Sequence, residues 1–100
     1  MSMSASDQPK FNVRLISRRV RRELDALHEP DYRRVLATLS GLKDNPRPPG
    51  CEKLYDDVYR VRVGNWRLIY LVDQANYAIQ VGGIRRRSER TYRGIEDLFD

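Results

Sequence analysis

Two alternating runs, Tyr59-Arg60-Val61-Arg62-Val63 and Trp66-Arg67-Leu68-Ile69-Tyr70, stand on either side of Gly64-Asn65. A two-residue Gly-Asn junction between period-two segments is a β-hairpin signal, and it admits one register. Counting outwards from the turn pairs Val63 with Trp66, Arg62 with Arg67, Val61 with Leu68, Arg60 with Ile69 and Tyr59 with Tyr70. One face then carries Tyr59, Val61, Val63, Trp66, Leu68 and Tyr70, which suits a core. The other carries Arg60, Arg62 and Arg67. Like charges directly opposite on a sheet cost a few tenths to about 1 kcal/mol, so folding alone disfavours this arrangement. A polyanion would turn the cost into binding free energy.

The rest of the chain tells what covers the apolar face. Phe11 to Ile16 alternates, as a short strand does, and Ser17 then suits a helix N-cap. Val20, Leu24 and Leu27 follow at helical spacing, and His28-Glu29-Pro30 ends that helix. A second helix starts near Pro30, with Tyr32, Val35, Leu36, Leu39 and Leu42 on one stripe. Asn45 to Gly50, with three prolines, is a stiff loop. The period then becomes two, predicting strands at Val58 to Val63, Trp66 to Val72 and Tyr77 to Gly83, with a terminal helix from about Ser88. Tyr59, Tyr70, Tyr77 and Trp66 are expected in the core. The order β-α-α-β-β-β-α predicts an α+β two-layer sandwich: a mainly antiparallel, twisted sheet covered on one face by the two N-terminal helices. Residues 1–9 read as a flexible tail, and 10–100 as one domain.

Composition narrows the chemistry. Cys51 and His28 are the sole residues of their types, so neither an internal disulfide nor a recognisable metal-ligand spacing exists; no metal and no cofactor is expected. No signal segment or long apolar run is visible, which predicts a cytoplasmic protein without a membrane partner. The net charge is +5, and 16 of the 19 basic residues are arginine. Arginine's planar fork favours bidentate phosphate contacts, although a GC-rich genome also enriches it. Between Val58 and Arg93 eight arginines face only Asp73 and Glu89. Arg85, Arg86 and Arg87 follow the last strand, and Tyr92 stands just beyond them. Clustered arginine beside an aromatic can hold a phosphate while stacking on an RNA base. Packing beside Ile95 and Leu98 is the structural alternative for Tyr92.

The string from Tyr59 to Tyr70, followed by Val81-Gly82-Gly83-Ile84-Arg85-Arg86-Arg87 and Thr91-Tyr92-Arg93, resembles the RelE/ParE superfamily of bacterial type II toxins. The proline-rich loop leading to Lys53-Leu54 is similar as well. The resemblance implies a RelE-like fold and, in the RelE-like branch, a metal-independent endoribonuclease that cuts mRNA in the ribosomal A site with the RNA's own 2′-hydroxyl as nucleophile. It puts Arg60 and Arg62 at basic strand positions that are often lysine, Arg67 at a phosphate-clamping arginine, and one of Arg86 and Arg87 beside the leaving 5′-oxygen. Spacing to Tyr92 favours Arg86 slightly. Tyr92 matches a tyrosine that stacks on the target base, while Lys53, Arg85 and Arg90 would grip RNA. Arginine at Arg60 and Arg62 removes any group able to exchange a proton near neutrality, since guanidinium titrates above about 12. Some ribonuclease relatives carry a histidine where this chain has Arg85 and Arg86.

The resemblance also implies a cognate antitoxin, joined with the toxin in a hetero-oligomer and covering the arginine face or displacing the terminal helix. Two other functions remain open. A ParE-like member would inhibit DNA gyrase by binding, without chemistry, and a degenerate toxin fold would serve only as a DNA-binding repressor partner. The combination of Arg60, Arg62 and Arg67 on one face with Tyr92 favours the nuclease, with ribosome and mRNA as partners.

Overall fold

The computed structural model describes residues 10–86 and 98–99. The tail at 1–9, the helix expected from about Ser88, and Arg87, Arg90 and Tyr92 lie outside the described residues. Seven elements follow in order: β1 (Asn12–Leu15), α1 (Arg18–Asp25), α2 (Asp31–Leu42), β2 (Glu52–Tyr55), β3 (Val58–Val63), β4 (Trp66–Asp73) and β5 (Ala78–Arg86). The strands form one sheet in the order β1-β5-β4-β3-β2. It is a mixed sheet, because β1 runs parallel to β5 while the other neighbours are antiparallel. The two helices pack on one face, as the α+β expectation has it.

Each helix begins and faces inward for a local reason. Ser17 has extended backbone and its hydroxyl accepts from the Val20 amide at 3.4 Å, capping α1. Val20 and Leu24 of α1, and Val35, Leu39 and Leu42 of α2, are buried against Tyr59, Val61, Val63, Leu68, Tyr70, Val72, Ile79 and Val81 from the sheet. Each such aliphatic side chain contributes about 1.5–3 kcal/mol of transfer free energy. The pairing of β3 with β4 runs Val63 to Trp66, Arg62 to Arg67, Val61 to Leu68, Arg60 to Ile69 and Tyr59 to Tyr70, the register counted from the turn. Gly64 has φ 61°, as the first central residue of a II′ turn requires, and this is why glycine precedes asparagine here.

Three expectations need correction. Glu52–Tyr55 forms an edge strand, β2, that the sequence pattern hides because only one side of it is paired and two of its four residues are charged. Tyr77 does not lie in the core: it is 43% exposed, takes φ 50° in the turn before β5, and meets Phe11 edge-on at 5.4 Å. Strand β5 therefore starts at Ala78, and it runs to Arg86 rather than ending at Gly83. The face turned away from the helices also has an apolar part. Val58 and Ile69 are buried there beneath Leu54, Tyr55, Leu71, Leu98 and Phe99.

Candidate nucleic-acid interface

On the face opposite the helices the hairpin alternation leaves Arg60 and Arg62 on β3 and Arg67 on β4. The pairing of β4 with β5 extends the set, since Arg67 also stands opposite Arg85. Arg62, Arg67 and Arg85 thus form a row across three adjacent strands, near the hairpin end of the sheet. Arg62 is exposed; Arg67 and Arg85 are half-buried. A shallow recess lined by Pro49, Gly50, Glu52, Arg60, Val61 and Arg62 opens beside the row.

Among the described residues two carboxylates, both outside the basic segment of the sequence, reach this face. Glu52 pairs across the sheet with Arg60, whose Nε donates to Glu52 Oε1 at 2.8 Å while Nη2 makes an ion pair to the same oxygen. The Arg60 side chain is itself only 16% exposed. Glu23 of α1 comes within 3.6 Å of Arg85 Nη1. Sequence counting from Val58 onwards misses both acids, because each arrives from an element earlier in the chain. Cross-strand pairing would have revealed Glu52 had β2 been visible, whereas no local signal points to Glu23.

Other residues named from the sequence are set apart from the row. Arg86 lies opposite Trp66, on the helix side, with its guanidinium 4.8 Å from the indole centroid. Trp66 in turn donates to Asp31 Oδ2 at 3.0 Å, tying this pair to the start of α2. Arg86, the arginine slightly favoured for the chemistry, thus stands on the helix side, and Arg85 takes the strand position beside Arg67. The cause is alternation: consecutive arginines on one strand point to opposite faces. Lys53, opposite Tyr59, also belongs to the helix side and is exposed. Arg87, Arg90 and Tyr92 are outside the described residues.

On the helix side of the same strands the sheet is tied to the proline-rich loop. Tyr70 is fully buried, donates its hydroxyl to the Pro46 carbonyl at 2.8 Å and stacks on Tyr59 at 6.0 Å. Burial, reinforced by neighbouring Cys51, pushes its ionisation well above the ordinary tyrosine range. Arg47 donates to the Tyr59 hydroxyl at 2.9 Å, so the proline-rich loop is pinned to the same two strands. Among the described residues no cluster of three metal-ligating side chains occurs, and no helix is long and apolar enough to cross a membrane. The row can hold an extended anionic strand by charge and fork geometry.

Comparison with known proteins bears on family and fold. The family model described as the ParE toxin of the type II toxin–antitoxin system parDE matches residues 14–91. An archaeal RelE–RelB complex from Pyrococcus horikoshii contains a chain 26% identical, with a TM-score of 0.69 over 81% of this chain and 99% of that one. The RelBE2 toxin–antitoxin complex of Mycobacterium tuberculosis gives 21% identity and 0.67, covering 78% and 99%. The isolated E. coli RelE toxin gives 17% and 0.65, covering 92% and 97%, a likeness of fold. A search of curated proteins finds no match.

Proposed function

The chain belongs to the ParE toxin family of type II toxin–antitoxin systems, within the RelE/ParE superfamily, and from that premise we propose that it arrests growth as a ribosome-dependent mRNA endoribonuclease. The observation that carries this reading is the row Arg62–Arg67–Arg85, three arginines side by side on adjacent strands. In-line attack by a 2′-hydroxyl on the adjacent phosphorus gives a pentacovalent phosphorane, then a 2′,3′-cyclic phosphate and a free 5′-hydroxyl. Charge gathers on the non-bridging oxygens as the phosphorane forms. Fixed guanidinium groups aimed at those oxygens stabilise it more than the ground state, and such electrostatic contacts are worth roughly 10²–10³ in rate apiece.

In this reading Arg67 grips the scissile phosphate, with Arg62 and Arg85 on either side. Arg60, held by Glu52, shapes the adjoining recess and contributes less free charge. Of the two arginines that end the basic run, Arg87 is assigned to the leaving 5′-oxygen, since Arg86 stacks on Trp66. Tyr92 would stack on the target base, and Arg90 would add a backbone contact. No metal or cofactor takes part. The partners are mRNA on the ribosome and, as in the RelE–RelB complexes, a cognate antitoxin that neutralises the toxin in a hetero-oligomer.

A second reading rests on a specific observation: the matching family model is that of ParE toxins, which supports inhibition of DNA gyrase by binding alone. Primer extension on mRNA with the purified toxin, with and without ribosomes and beside a gyrase supercoiling assay, separates the two. A-site cuts that need ribosomes support the nuclease; intact RNA with blocked supercoiling overturns it.

A further inference from the structure

Strand β5 outruns its parallel neighbour. The last backbone contact from the β1 side is the Ile16 amide donating to Val81 O at 3.1 Å, yet β5 continues to Arg86. Beyond that point two side chains of α1 take the place of a strand. Arg19 Nη2 donates to Gly82 O at 3.0 Å, and Glu23 Oε1 accepts from the Ile84 amide at 2.9 Å. One donor and one acceptor spanning residues 82 and 84 are what a single residue of a parallel strand would supply. The two side chains are locked together by an i,i+4 ion pair, Arg19 Nη1 to Glu23 Oε2 at 2.9 Å.

The same Glu23 oxygen lies 3.6 Å from Arg85 Nη1. We propose that Glu23 is a positioning residue that acts through Arg85: it holds the free edge of β5 and steers the Arg85 guanidinium against repulsion from Arg67, so that the row presents a fixed phosphate-binding geometry. This rests on the RNA-binding reading above. Glu23 also offsets one positive charge of the row, so it restrains polyanion affinity while it orders the site. Held guanidinium groups serve catalysis, whereas a looser and more positive row serves only binding.

The test compares wild type with Glu23→Gln and Glu23→Asp in two assays: ribosome-dependent mRNA cleavage, and binding of a short labelled single-stranded RNA across a salt series. Glutamine keeps an acceptor for the Ile84 amide but loses the charge. It should bind RNA more tightly, with the log–log salt slope steeper by about 0.7 for one further phosphate neutralised. Its kcat should fall about tenfold or more at unchanged melting temperature, as for a misplaced catalytic contact. Aspartate keeps the charge but is one methylene too short to serve Ile84 and Arg85 together, so kcat should fall with a wild-type salt slope. Glutamine matching wild type in both slope and kcat overturns the proposal, as does a loss of kcat that merely tracks a lowered melting temperature. If wild type cuts no RNA, the nuclease reading fails by itself, and the salt-slope difference alone decides whether Glu23 restrains Arg85.

Discussion

Replacing Tyr70 by phenylalanine isolates one buried hydroxyl on the helix side of the sheet. The ring stays, so packing against Tyr59 and the helices is retained, while the bond to the Pro46 carbonyl is lost. Pro46 is only half-buried, so its carbonyl can regain some hydration. A cost of about 1–2 kcal/mol near neutrality follows. For a domain of this size that lowers the melting temperature by roughly 4–8 °C for each kcal/mol. The pH dependence gives a sharper check. An unfolded tyrosine ionises near 10, whereas in the fold burial first, then Cys51, holds Tyr70 protonated well above that. Both states are protonated below about pH 9, so the group adds no pH slope there. Above pH 10 the unfolded chain binds fewer protons than the native one, and the native state loses up to about 1.4 kcal/mol per pH unit from this residue. Phenylalanine has no such slope. The stability gap between wild type and Tyr70→Phe should therefore narrow between pH 10 and 11, measured by urea titration at pH 7, 9, 10 and 11. The other tyrosines titrate in both proteins and largely cancel in the difference. A gap constant across that range would falsify the claim that the hydroxyl is buried and held neutral.

Other expectations concern separate parts of the molecule. A Cβ at Gly82 would stand 2.5 Å from the Phe99 ring, so Gly82→Ala should cost about 1–3 kcal/mol by overpacking, seen as an earlier thermal transition. Ser17→Ala removes the α1 cap and should cost about 1 kcal/mol in a urea titration. Arg67→Ala should reduce ribosome-dependent cleavage roughly 100-fold and relieve growth arrest without unfolding the protein, as judged by circular dichroism. Arg85→Ala should lower cleavage more than Arg86→Ala; the latter should mainly lose its contact with Trp66, about 0.5–1 kcal/mol in melts. Equal losses of cleavage from the two would contradict the assignment of Arg85 to the row.

The charge balance of this surface shows why a stable sheet can carry so many arginines. The two ends of the cluster are held by carboxylates, Glu52 against Arg60 and Glu23 against Arg85, while Arg62 and Arg67 lie between them. The opposite half of the same face is apolar and packed with Leu98 and Phe99. The face is divided between an arginine-rich half and a packing half.

Much of this architecture is legible in the sequence because it rests on local rules. The Gly64-Asn65 turn and strict alternation dictate the register of β3 and β4, and therefore the shared face of Arg60, Arg62 and Arg67. Helical spacing likewise picks out Val20, Leu24, Leu27, Val35, Leu39 and Leu42, which are buried, although Tyr32 on the same stripe is half-buried and Leu36 is 41% exposed. Tertiary structure decides the rest. Nothing local shows that β1 would lie parallel to β5, or that Glu23, some 60 residues before Ile84, would close the strand edge that β1 leaves open. Arg85 and Arg86 are equivalent neighbours in sequence, but the bulge between their segment and the start of β5 sets which of them faces Arg67. Alternation carries information only within an element of known register. Where pairing is long-range, or an extra residue shifts the phase, the face a side chain occupies is settled by the assembled sheet.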